Sequence, residues 1–203
     1  MRAKSIALIG IGMLILAIAG LPVTAGDAER GVRFGLLSSS PSGDSTDAGQ
    51  TTELDGSTGF FLSFEFPVSP RFGIEPGIEI ADHDITVKEM GFPTLDFGET
   101  TWTALTVNGN FQLMPEKSYD LYIGPTIGYV MWDDISTSLF PGDVPVDDDF
   151  TLGANFGIDV PLGDSSWKFS AALRYLTSDL GIDSGSDIGV DPVQIKLGVA
   201  RRF

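Results

Sequence analysis

The sequence predicts an all-β fold: an eight-stranded antiparallel up-and-down transmembrane β-barrel that follows a cleaved signal peptide. Three observations predict it. The first 25 residues have the three-part build of an export signal. The remainder repeats segments of about ten residues in which apolar side chains alternate with small or polar ones, separated by turns. No later stretch is long and apolar enough to be a spanning helix. A mature chain lying in a membrane must therefore close its strands on themselves, because lipid cannot satisfy the edge of an open sheet.

The export signal comes first. Arg2 and Lys4 open it, Ile6 to Leu21 is a continuous apolar run, and Val23-Thr24-Ala25 ends it with small residues where a signal peptidase reads. The run is short for a membrane anchor, which needs roughly 20 apolar residues. Residues 1–25 are thus read as a signal peptide and residues 26–203 as one barrel domain.

The strands follow in order. Val32, Phe34 and Leu36 mark the apolar face of the first, Phe60, Leu62, Phe64 and Phe66 the second, and Phe72, Ile74, Ile78 and Ile80 the third. Thr103 to Leu113 is the clearest, with Leu105, Val107, Phe111 and Leu113 against Thr106, Asn108, Asn110 and Gln112. A strand's period of two puts these sets on opposite faces. Tyr119 to Trp132, Phe150 to Leu162, Trp167 to Leu176 and Val193 to Phe203 repeat the pattern.

A soluble β-sandwich or lipocalin-like barrel would alternate too. Two features favour the membrane. The second face carries Glu65, Glu75, Glu79, Asp159, Arg174 and Lys196. The apolar face is bounded by aromatics, Phe72, Tyr119, Trp167 and Phe203 at one end and Phe60, Tyr129, Phe150 and Tyr175 towards the other, as membrane-interface girdles require.

Connections alternate in length. Pro67 to Pro70, Pro115 to Ser118 and Gly163 to Ser166 read as tight turns, whereas 38–57, 84–100, 133–148 and 177–191 read as long loops. Outer-membrane barrels keep short turns in the periplasm, so both mature termini are expected there. Charge divides likewise. Arg30, Arg71, Lys117, Lys168, Arg201 and Arg202 sit at the short-turn end; the long loops are acidic, with Lys88 their one base.

Composition sets outer bounds. The chain has 28 acidic and 12 basic residues, a net charge of −16 and no cysteine. Disulfides, a lipid-bearing cysteine and thiolate metal sites are excluded. Nucleic acid is not an expected partner, since phosphate binding needs a basic surface.

The residues also resemble a known family. Leu105 to Pro115, the run Tyr119-Asp120-Leu121-Tyr122-Ile123-Gly124-Pro125-Thr126-Ile127-Gly128-Tyr129, and the ending Leu197-Gly198-Val199-Ala200-Arg201-Arg202-Phe203 are similar to strands of the outer membrane protein W (OmpW) family and of small eight-stranded outer-membrane barrels. The resemblance implies an outer-membrane location and a terminal aromatic, Phe203, read by the barrel assembly machinery. It further implies passage of small solutes or binding of phage and colicin, among lipid and lipopolysaccharide.

Eight strands leave a lumen just wide enough for side chains. Arg33, Arg174 and Lys196 are expected to pair inside it with Glu65, Glu75, Glu79 and Asp159, because lone ions are costly there. The result is either a polar plug or a narrow conducting path. The function read from the chain is a structural barrel or narrow passive channel, with a surface-binding scaffold built on acidic loops as the alternative. A lipid A-modifying enzyme is a weaker third reading. The lone His83, flanked by Asp82 and Asp84, is read as a strand-end residue at the interface, since no serine in a nucleophile motif accompanies it. Asp147-Asp148-Asp149 lacks the spacing of a calcium loop. No catalytic residue, metal or cofactor is implied.

Overall fold

The computed structural model describes residues 30–203 apart from 43, 48–49, 90–91, 116–117, 140 and 183–185. Residues 1–25, expected to be a signal peptide, lie outside the described residues, as do Lys117 and Asp183.

Eight strands form the wall: β1 (Gly31–Ser40), β2 (Ser57–Ser69), β3 (Phe72–Glu89), β4 (Leu95–Gln112), β5 (Asp120–Trp132), β6 (Asp149–Pro161), β7 (Trp167–Thr177) and β8 (Val193–Arg202). Each pairs antiparallel with the next. β8 pairs back onto β1, with Gly31 opposite Arg202 and Ser40 opposite Val193. Arg30 and Phe203 extend that seam by exchanging backbone hydrogen bonds of 3.1 and 2.9 Å. The sheet is thus a closed up-and-down barrel without a free edge in the bilayer.

Its solvation is inverted. Phe34, Leu36, Leu62, Phe64, Phe156, Leu173, Ile195 and Leu197 face outward and are exposed, whereas Arg33, Glu75, Glu79, Asp159 and Arg174 are buried. In water so much outward apolar surface would cost about 25 cal/mol per Å² left uncovered; lipid removes that cost. The aromatic girdles stand where the sequence places them: Phe60 and Phe150 are 69 % and 60 % exposed at one end, Phe203 65 % at the other.

On the short-turn side, β2 and β3 are joined by two residues, and Gly163 in the β6–β7 turn adopts φ +64°, a conformation that suits glycine. On the other side the long connections are not simply loops. Residues 84–89 and 95–100, expected as loop, continue β3 and β4 as a hairpin. A further ribbon, Asp44–Asp47 with Gln50–Leu54, pairs onto it from Ile85 to Glu89. Asp179–Ile182, Ser186–Gly189 and Val146–Asp147 form a small separate sheet over the mouth. Backbone pairing extends these segments because polar donors and acceptors that leave the wall still need partners.

Candidate functional site

The lumen is built in layers. In the half of the lumen nearer the short turns, β1 aims Arg33 at three carboxylates. Its Nη2 lies 2.8 Å from Glu65 Oε2 and 2.7 Å from Asp159 Oδ2, and its Nη1 lies 2.8 Å from Glu75 Oε2. Ser63 donates to Glu75 at 2.6 Å, as Asn110 does at 2.5 Å, and Ser170 donates to Asp159 at 2.7 Å. Spare lone pairs of Glu75 and Asp159 are thereby occupied. Tyr122 lies against the guanidinium, 5.0 Å from ring centre to Cζ. Gly157 makes room for that ring, since a Cβ there would lie 2.3 Å from Tyr122 Cζ. Towards the periplasmic mouth, Asp120 pairs with Lys168 and, at 3.0 Å, with Arg202.

The middle layer reverses the arrangement, with one carboxylate taking two cations. Glu79 on β3 pairs with Arg174 on β7 and, at 2.5 Å, with Lys196 on β8. Arg174 Nε donates to Gln194 Oε1 at 2.9 Å, and Lys196 Nζ lies 5.1 Å from the centre of the Phe61 ring. All seven residues singled out from the sequence therefore meet inside the barrel, in two groups. Between the groups is a void of about 20 Å³ lined by Arg33, Asn108, Tyr122, Arg174 and Lys196 among others. That is about the room one water needs.

Above the ions the lumen turns apolar. Leu37, Phe61 and Ala81 form a small cluster. Over it lies a larger one in which Trp102 and Trp132 meet edge to face, their centroids 5.4 Å apart, with Leu54, Ile135, Leu176, Leu180 and Val190 around them. Ile135 is brought into the mouth by paired hydrogen bonds to Val144. This cap was not anticipated from the sequence. The available signal was parity: Trp102 continues the inward row Ala104, Thr106, Asn108, Asn110 of β4.

His83 belongs to the cap, which corrects its expected place at the interface. It points inward and is 1 % exposed, while Asp82 and Asp84 point out on the opposite face of β3. Its ring stacks on Trp102 with centroids 5.9 Å apart. Nδ1 lies 2.9 Å from the Asp55 carbonyl oxygen, which only an N–H can satisfy, so Nε2 accepts from Ser57 Oγ at 3.1 Å. His83 lies beyond the outer girdle, where the outward neighbours are already carboxylates. Burial among the tryptophans holds its pKa below the usual 6.5, against the opposing pull of the Asp55 carbonyl, Asp82 and Asp84.

The acidic run Asp147-Asp148-Asp149 serves as acceptor. Asp148 takes the Tyr129 hydroxyl and the Trp132 amide, each at 3.3 Å. Asp149 takes Ser178 Oγ at 3.1 Å and the Asp179 amide at 2.8 Å. Among the described residues no group of three or more ligating side chains is placed to hold a metal ion. Lys88 pairs with Glu53, which raises its pKa.

A model of the outer membrane protein beta-barrel domain matches residues 11–203. The chain belongs to that family. Among solved structures, OprG of Pseudomonas aeruginosa superposes with a TM-score of 0.72 at 17 % identity, covering 86 % of this chain and 95 % of its own. Outer membrane protein W of E. coli gives 0.54 at 15 % identity, covering 86 % and 97 %. Ail of Yersinia pestis, solved with the heparin analogue sucrose octasulfate, gives 0.50 at 15 % identity, covering 86 % and 98 %. At these identities the likeness is one of fold: small outer-membrane barrels. No curated protein sequence matches the chain. Family and fold together place the protein in the outer membrane.

Proposed function

We propose that this protein is a closed barrel that displays recognition ribbons at the cell surface, rather than a channel. The observation that carries this reading is the filled lumen: two layers of ion pairs, a void of about 20 Å³ between them, and the Trp102–Trp132 cap above. A conducting path needs a continuous column of water. Here each ion is satisfied by protein, and moving one partner away would leave another buried and uncompensated.

What remains for function is outside the bilayer. The β3–β4 hairpin, the ribbon at its side and the small sheet over the mouth stand on a rigid wall, a sound arrangement for binding. Asp55, Asp84, Asp96 and Glu99 line one surface cleft, and Asp82, Asp133 and Asp134 line its neighbour. Such a surface suits cationic ligands and disfavours polyanions of the kind bound to Ail. The test is conductance of the refolded protein in planar bilayers, paired with phage or colicin adsorption to cells carrying ribbon deletions. Absence of discrete openings, together with adsorption lost on deleting 90–94 or 133–148, is the expected result. Stable unitary openings in the intact protein would overturn the proposal.

A further inference from the structure

We infer that the lipid-facing seam of β7, β8 and β1 at the periplasmic boundary binds the phosphate of an anionic phospholipid through Arg30 and Arg201. The inference rests on the outer-membrane location and is independent of whether the lumen conducts.

The first ground is a contrast in pairing. Among the described residues every inward cation has a carboxylate: Arg33, Arg174, Lys196, Lys168 and Arg202. Lys88, outside the bilayer, has Glu53. Arg30, Arg71 and Arg201 are exposed and make no ion pair among the described residues, and all three stand at the short-turn end. The nearby carboxylates Glu65 and Asp120 are engaged in the lumen. Asp164, in the β6–β7 turn, is exposed and takes no ion pair among the described residues.

The second ground is position. Arg201 lies across from Val32 on one side and Trp167 on the other, and shares their outward face. Its guanidinium sits over the Trp167 ring, 5.4 Å from Cζ to the centroid. Phe34 meets the same ring edge-on at 6.2 Å. Arg30, held opposite Phe203 by their two backbone bonds, has the parity of Val32 and so lies on that same face, diagonal to Arg201. Diagonal neighbours across two strands are about 7–8 Å apart at the backbone, within reach of one phosphate for side chains this long.

The third ground is chemistry. A guanidinium presents a planar fork that matches phosphate, and a tryptophan face beneath it fixes its orientation. This pair stands where the apolar band ends and the headgroup layer of the inner leaflet begins. At the other end of the band the outward residues are Asp82 and Asp84, which repel the same phosphate. The charge polarity along the barrel axis thus fits a membrane whose phospholipid leaflet is the periplasmic one.

The test uses refolded protein in phosphatidylcholine nanodiscs doped with spin-labelled phosphatidylglycerol or spin-labelled phosphatidylcholine, reading the motionally restricted fraction. The intact protein should select the anionic lipid several-fold. Arg30→Gln with Arg201→Gln should bring the selectivity close to one, Arg30→Lys with Arg201→Lys should retain part of it, and Lys88→Gln should leave it unchanged. A heat-modifiability gel confirms that each barrel is folded; if the double variant does not fold, Arg201→Gln alone is read and should lose most of the selectivity. Equal restriction of both lipids by the intact protein, or full selectivity in the glutamine variant, overturns the site. Selectivity abolished by millimolar inorganic phosphate would assign it to free phosphate and overturn the lipid as occupant.

Discussion

Arg33 Nη2 lies 2.7 Å from Asp159 Oδ2, although β1 and β6 are not neighbours in the wall. The contact spans the lumen. It ties opposite sides of the barrel together, and the same guanidinium also holds Glu65 and Glu75.

Removing that guanidinium leaves three carboxylates facing one another out of water. Arg33→Met should destabilise the refolded barrel by about 3–5 kcal/mol, the range for breaking a buried pair on one side. Replacing the whole group, as Arg33→Met with Glu65→Gln, Glu75→Gln and Asp159→Asn, should recover most of that loss. Urea unfolding in lipid vesicles, followed by the heat-modifiability gel, measures both. A single variant as stable as the parent would mean that the cluster does not lock the wall.

Occlusion is expected at two levels. Trp102→Ala with Trp132→Ala removes the cap and leaves the ion layers, so planar-bilayer recordings should remain free of discrete openings. Openings are expected only when both ion layers are removed as well, by alanine at Glu79, Arg174 and Lys196 together with alanine at Arg33, Glu65, Glu75 and Asp159. Conductance in the tryptophan variant alone would show that the cap is the sole barrier.

His83 should make stability depend on pH. Its folded pKa is lowered by burial, so the folded protein resists a proton that the unfolded chain accepts. The contribution of neutral His83 is complete above about 6.5, the unfolded value, and is lost as pH falls through the lower folded value. Unfolding midpoints from pH 7.5 to 5 should therefore fall more steeply for the parent than for His83→Gln. Parallel curves would mean that the buried imidazole does not titrate with folding.

Gly157 provides a packing test. A methyl group there runs into the Tyr122 ring, which lies against Arg33. Gly157→Ala should displace Tyr122 and lower stability by about 1–3 kcal/mol, the cost of overpacking a filled interior. The double variant Gly157→Ala with Tyr122→Leu should be less affected than the sum of its parts.

Phe203 is proposed as the terminal aromatic that the assembly machinery reads. It stands exposed on the outer face, joined to Arg30 at the seam. Phe203→Ala should reduce the heat-modifiable barrel recovered from outer membranes while refolding in vitro proceeds nearly as in the parent. Equal losses in both assays would point to the seam's stability instead of recognition.

Much of this protein is written in local order. Parity alone assigns Phe34 and Leu197 to lipid and Arg33, Glu79 and Asp159 to the lumen, because side chains of a strand alternate whatever the strand pairs with. Turn lengths set the two ends apart, and eight amphipathic segments leave closure as the stable outcome in a bilayer. What the tertiary structure decided is which inward residues meet. Glu79 takes Arg174, 95 residues away, and Arg33 takes Asp159, 126 residues away, because the stagger of the closed wall brings those levels together. Ser57 reaches His83, and Trp102 reaches Trp132, by the register of adjacent strands, β2 with β3 and β4 with β5. Alternation is a property of one strand and is legible in its residues; level and partner across a lumen depend on every register around the ring.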